Sequence, residues 1–209
     1  MSDLRSGLGL AMLALLQATS ATPQTKPTPK PAASPMPLPP MEAVVETDKG
    51  SFTILLLHEL APRHVAHFVA TAKKRGYDGT TFHRIIPRGV IQGGDPLSKD
   101  PAKKSLYGTG GLGILKAELG ERPMSRGAVA AVLRPRQPDS GGDQFFICLS
   151  DQPSLTGQYT IFGEVVAGMD VVDAIGETPV EGDKAKERVA MKRVTVREAG
   201  AAEAPSVAP

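Results

Sequence analysis

The sequence predicts a mainly β protein, folded as a closed antiparallel barrel that carries two helices. Short runs rich in β-branched and aromatic residues recur between turns built from Gly, Pro and Asp. Only two segments show the 3.6-residue period of an amphipathic helix. So many strands would expose long unpaired edges if left open, and closure removes those edges.

Taken in order, the runs at 43–47 and 51–57 flank the turn Asp48-Lys49-Gly50, which is the signature of a hairpin. A helix follows. Pro62 suits a first helical turn, where its missing N–H has no partner to lose, and Val65, Phe68, Val69 and Ala72 form an i, i+3, i+4, i+7 stripe. Gly76 stands where a helix-terminating C′ glycine is expected. Further strands are predicted at 80–86, 90–93, 127–133, 144–149, 160–166 and 189–198, and a second short helix at 169–175. No repeat of solenoid or propeller period is present.

The flanks differ in kind. Arg5, the apolar run 8–16 and the small residues Thr19-Ser20-Ala21 follow the order of a secretory signal peptide, the alternative being a disordered start. The run is too short to span a bilayer, which takes about 20 residues. Export, to a periplasm, is therefore the expected location. Residues 22–41 hold proline at 23, 27, 29, 31, 35, 37, 39 and 40, a density that favours extended polyproline conformation and a semi-rigid spacer. A ligand for a proline-reading domain is the functional alternative. Residues 199–209, rich in Ala and Pro, read as a fraying tail, which leaves 42–198 as the folded domain.

Composition excludes several classes. The 209 residues suffice for one good core, and a net charge of +2 from 24 basic and 22 acidic residues gives little field to attract a polyanion. Aromatic residues make up 4% of the chain, so bases have few rings to stack on and nucleic acid is not expected as a partner. Cys148 lies in an apolar run with no base nearby in sequence, which favours a buried strand residue over a catalytic thiol. His64 and His67 stand three apart on the first helix, but two ligands do not close a metal site, and solvated positions are expected instead. The stretch 108–113 is glycine-rich without the Gly-Lys-Ser/Thr or the βαβ frame of a phosphate loop, so it reads as a flexible rim loop. No Gly-x-Ser-x-Gly elbow is present to support a serine hydrolase.

Two segments carry most of the remaining information: Phe82-His83-Arg84-Ile85-Ile86-Pro87 leading to Gln92-Gly93-Gly94-Asp95, and Gln144-Phe145-Phe146. Arg84 lies among strand-forming residues, so it is a fixed cation on a rigid strand. Both segments closely resemble the cyclophilin-type peptidyl-prolyl cis-trans isomerases, and the similarity runs in order through residues 42–198. The resemblance implies an eight-stranded barrel capped by two helices, needing no cofactor and no metal, acting as a monomer on X-Pro bonds of unfolded or extended polypeptides and so assisting their folding. Rotation about such an amide crosses about 20 kcal/mol because twisting destroys its resonance. A catalyst must hold the twisted amide better than either planar isomer, which calls for a ring pocket and a donor beside the amide. A guanidinium stays charged and offers a rigid fork of donors. A 10⁵-fold acceleration asks for about 7 kcal/mol.

In the family, the arginine matching Arg84 is the principal catalytic group, bonding the prolyl carbonyl and favouring a pyramidal imide nitrogen. By the same resemblance Val90, Phe146 and Leu155 line the proline pocket, Gln92 bonds the substrate backbone, His83 supports the arginine and Tyr159 closes the pocket. Read by residue type alone, Phe146 and Leu155 are equally ordinary core residues, and Gln92 an internal barrel hydrogen bond. The chain also departs from the family. Gly89 stands where most relatives have an aromatic residue, Ser154 where they have Trp, Tyr159 where many have His, and Ala131-Val132-Leu133 where a small residue and Asn or Arg are usual. These departures keep two rival readings in view: a weakly catalytic module or holdase that grips proline peptides, and a scaffold whose proline-rich spacer does the interacting.

Overall fold

The computed structural model describes residues 39–200. The signal peptide expected at 1–21, the proline-rich stretch up to residue 38 and the tail from residue 201 lie outside the described residues. Among the described residues the elements run β1 (Met41–Thr47), β2 (Gly50–Leu56), α1 (Pro62–Lys73), β3 (Arg84–Ile86), β4 (Val90–Gly93), β5 (Ala128–Ala131), β6 (Phe145–Cys148), β7 (Ile161–Ala167), α2 (Met169–Gly176), β8 (Val180–Glu181), β9 (Lys184–Ala185) and β10 (Met191–Glu198). All paired strands are antiparallel, in the order β10-β1-β2-β7-β5-β6-β4-β3-β9-β8.

The mainly β, barrel-like architecture with two helices is as the sequence predicts, with differences of detail. β8 and β9 add a small hairpin that the sequence does not reveal, since a two-residue strand has no alternation to read. The predicted strand at 80–86 keeps only its last three residues as β3. The residues before it are extended and close the gap toward β10: Gly79 N–H donates to Met191 O (2.8 Å), Met191 N–H to Thr80 O (2.8 Å) and Phe82 N–H to Val189 O (2.9 Å). The two sides of the sheet thus meet through single hydrogen bonds and the Thr81–Ala190 bridge, not a continuous ladder. β1 also begins at Met41, opposite Glu198, inside the stretch read as spacer.

Helix α1 ends differently from the sequence expectation. Arg75, not Gly76, takes the left-handed conformation (φ 58°), its N–H bonding Ala72 O while Gly76 N–H reaches Thr71 O, both at 2.8 Å. That pair of bonds is a Schellman motif, which satisfies the last carbonyls of the helix. Gly76 is needed for space: a Cβ there would lie 2.6 Å from Thr71 Cγ2.

The core divides along the strands. On β6, Phe145 and Ile147 point into the barrel, where they meet Phe68 of α1, Phe82, Tyr77 and Phe162. Phe146 and Cys148 point the other way, into a smaller cluster with Val90, Met124, Ala130 and Ile161, against which Leu155 and Tyr159 pack. This is the period of two inherent in an extended chain. Phe145, 1% exposed, contacts four aromatic rings at centroid distances of 5.8 to 6.5 Å. Phe145→Ala is therefore expected to lower unfolding free energy by about 3–5 kcal/mol in urea denaturation, while Phe146→Ala, at the edge of the smaller cluster, lowers it less.

Candidate functional site

The site is built on one row of paired residues. Arg84 of β3 faces Gln92 of β4, Gln92 faces Phe146 of β6, and Phe146 faces Ala130 of β5. Residues directly opposite in adjacent strands project on the same face, so a cation, an amide and an aromatic ring stand side by side outside the barrel. They line a cleft of about 560 Å³, together with Val90, Leu155 and Tyr159. Tyr159 meets Phe146 edge-on at 5.2 Å, closing the apolar end.

Arg84 is held from two sides. Its Nε donates to Asp183 Oδ2 (2.6 Å) and its Nη1 to Gln92 Oε1 (3.3 Å), while among the described residues Nη2 has no partner. The bond from Arg84 holds the Asp183 carboxyl below the usual carboxylate range. Gln92 in turn donates to Gln144 Oε1 (3.0 Å), and Gln144 donates to Gly110 O (2.7 Å). Asp95, fully buried, accepts from the backbone N–H groups of Leu97 (2.7 Å), Gly108 (2.5 Å) and Gly110 (3.2 Å). The Gln-Gly-Gly-Asp run thereby fixes the glycine-rich loop, whose Gly108 and Thr109 form part of the cleft wall.

The structure brings together Arg84, Val90, Gln92, Phe146, Leu155 and Tyr159 as the sequence proposed. Gln92 does serve as an internal hydrogen bond, but its place beside Arg84 leaves it at the cleft as well. His83 falls elsewhere. It lies outside the cleft lining, in a neighbouring cavity of about 400 Å³ that Arg84 and Gln92 also line, its ring packed edge-on against Tyr107 at 6.1 Å. Burial lowers the pKa of His83, so the ring is neutral at physiological pH. Gly89 lines the cleft, and a Cβ there would sit 2.8 Å from Ile86 Cγ2, so a larger side chain needs Ile86 to move. Ser154 is exposed on a 3-10 turn and does not line the cleft.

Sequence reasoning missed Asp183, which lies 99 residues from Arg84 and belongs to no motif. It also missed Tyr107 and Gln152 in the lining, which come from irregular segments without periodicity. The helix histidines are not the solvated residues expected: His64 is buried against Glu118 (2.6 Å), and His67 bonds Asp143 (2.8 Å). Each faces a different carboxylate, which pulls them apart as a metal pair.

Comparison with known proteins agrees with this geometry. Residues 43–196 match the family described as cyclophilin type peptidyl-prolyl cis-trans isomerase/CLD. The peptidyl-prolyl cis-trans isomerase CYP18-2 of Arabidopsis thaliana is 34% identical over 142 residues, 68% of this chain and 84% of that protein. A probable peptidyl-prolyl cis-trans isomerase of Brucella suis is 39% identical over 137 residues, covering 63% of this chain and 69% of the relative. Among solved structures, a Cryptosporidium parvum cyclophilin superposes with a TM-score of 0.68 at 25% identity, over 76% of this chain and 98% of the other. A second structure of that protein, obtained in the presence of the dipeptide Ala-Pro, gives a TM-score of 0.66 at the same identity, over 75% of this chain and 98% of the other. The barrel and its cation-and-ring cleft thus define an isomerase of amide geometry, and the chain belongs to the cyclophilin-type peptidyl-prolyl cis-trans isomerases. It is an enzyme that accelerates cis-trans interconversion of X-Pro bonds.

Cys148 stands behind the cleft floor, fully buried, and burial pushes its thiol up to about 12. The native protein is therefore expected to leave Ellman's reagent unreacted at pH 8, where the thiol is protonated and covered. One equivalent should react in 6 M guanidinium chloride. Rapid native reaction would show that the strand opens or that the thiolate is accessible.

Proposed function

We propose that Arg84 is the catalytic residue and that the cleft takes X-Pro segments of unfolded or extended polypeptides. In this reading the proline ring lies against Phe146, Val90 and Leu155 beneath Tyr159, and the Arg84 guanidinium donates to the prolyl carbonyl as the amide twists. Gln92 holds the substrate backbone, and His83 acts only by packing behind Arg84. The observation that carries it is the fixing of Arg84 by Asp183 and Gln92 with Nη2 left without a partner at the cleft. An arginine already oriented needs little reorganisation at the transition state, where its bond to the twisted amide counts most. The Cryptosporidium structure obtained with Ala-Pro supports proline-containing peptides as ligands. No step of the mechanism breaks a bond or calls for a cofactor or metal, and the acting unit is a monomer.

The same proposal places the enzyme outside the cytoplasm as an aid to folding, on the signal-peptide order of residues 1–21, with residues 22–41 as its spacer and 42–198 as the isomerase domain. Protein isolated from the native cell should have an intact mass that begins near Thr22. A mass retaining residues 1–21 in a cytoplasmic fraction would overturn the export reading.

Arg84→Ala is expected to keep the fold and lower kcat/KM on a proline tetrapeptide at least tenfold, about 1.4 kcal/mol of transition-state stabilisation. Arg84→Lys should recover little of this, because a point charge does not reproduce the fork that bonds Asp183, Gln92 and substrate together. Wild-type kcat/KM in the alanine variant, with a wild-type circular dichroism spectrum, would sink the assignment.

A further inference from the structure

The cavity behind Arg84 is unused by the mechanism above. Its lining joins buried apolar residues, Phe82 and Ala185, to the half-buried Tyr107 and the exposed Pro101, and adds several exposed cationic side chains. Lys104 comes from the 3-10 segment Pro101–Leu106, while Lys184 and Lys186 come from β9 and the residue just beyond it. Among the described residues none of these three lysines makes an ion pair. With Arg84 and Arg188 they give the lining five cations against two carboxylates, Asp183 and Glu187, and Asp183 is already bound by Arg84. His83, neutral through burial, does not change that balance.

The cavity also adjoins the place where the chemistry occurs. Arg84, Gln92, Tyr107 and Gly108 line both it and the cleft, so a polypeptide whose proline occupies the cleft passes a neighbouring residue over its mouth. We propose that this cavity is a specificity subsite for an acidic residue of the substrate, glutamate above all, within a few positions of the isomerised proline. The methylenes of glutamate lie on Tyr107 and Pro101, and its carboxylate meets the ring of lysines. Aspartate is shorter and leaves the apolar wall uncovered, and lysine is repelled by the ring. The preference works through binding, since the carboxylate does not touch the twisting amide. It rests on the cleft being where the X-Pro bond binds.

The test uses capped hexapeptides, Ala-Ala-Ala-Pro-Ala-Ala and derivatives with Glu, Gln or Lys placed singly at each non-proline position. Interconversion is followed by NMR exchange spectroscopy, which needs no coupling protease with preferences of its own. At one position or more, Glu is expected to exceed Gln in kcat/KM by about threefold or more through a lower KM, the size of a partly exposed charge interaction. The advantage should shrink as salt is raised. Lys104→Gln combined with Lys186→Gln, two exposed residues outside the cleft, should bring the Glu/Gln ratio close to one while leaving turnover of the all-alanine peptide as in the wild type. Equal rates for Glu and Gln at every position, or a Glu advantage that survives in the double variant, would overturn the subsite and leave the isomerase reading standing. No exchange enhancement with the all-alanine peptide would overturn the isomerase reading itself, and the subsite with it.

Discussion

The antiparallel register of β3, β4 and β6 is the constraint on which the site depends. Pairing Arg84 with Gln92 and Gln92 with Phe146 sets a donor, a spacer amide and a hydrophobic ring in one line, at strand spacing. A shift of one residue would turn Arg84 into the barrel, where an unpaired guanidinium is very costly, and would send Phe146 out of the cleft floor. The core therefore enforces the site. Phe145 and Ile147 cannot leave the interior without loss of their aromatic and aliphatic neighbours, and as long as they stay, Phe146 must face outward.

Behind this row lies a polar network that leaves few groups without partners. Gln92, Gln144 and Asp95 are buried, and each is bonded in turn to the next strand or loop backbone. Buried carboxylates are tolerable only when their oxygens are satisfied, and Asp95 achieves this with three backbone donors from two segments. The consequence is mechanical. A loop rich in glycine, which would otherwise move freely, is drawn against β4 and becomes part of the cleft wall. Asp183 plays the matching part on the opposite side by holding Arg84 from the small β8–β9 hairpin.

Of the positions at which the sequence departs from the pattern it resembles, Gly89, Val132, Leu133 and Tyr159 line the cleft with Arg84, whereas Ser154 does not. At Gly89, Ile86 stands so near the Cβ position that any larger side chain would force a local shift. Val132 and Leu133 bring apolar side chains to the lining. On the proposed reading, a thinner ring wall weakens proline binding while the guanidinium bears on the barrier.

By itself the sequence determined the strands long enough to show alternation, both helices, and the candidate residues of the two motifs, Arg84, Gln92 and Phe146 among them, which the fold brings to one cleft. Local periodicity and residue type suffice for these because each is decided by neighbours within a few positions. It also carried, in Gln144 and Asp95, the members of the supporting network, though not their partners. Only the tertiary structure decided that Asp183 clamps Arg84 across 99 residues, that His83 turns into a second cavity, and that Arg75 takes the left-handed position assigned to Gly76. Each of these depends on which distant segment arrives next to the residue. Loop closure brings together groups with no shared local pattern, and it is the packed core, through strand register, that chooses which of them meet.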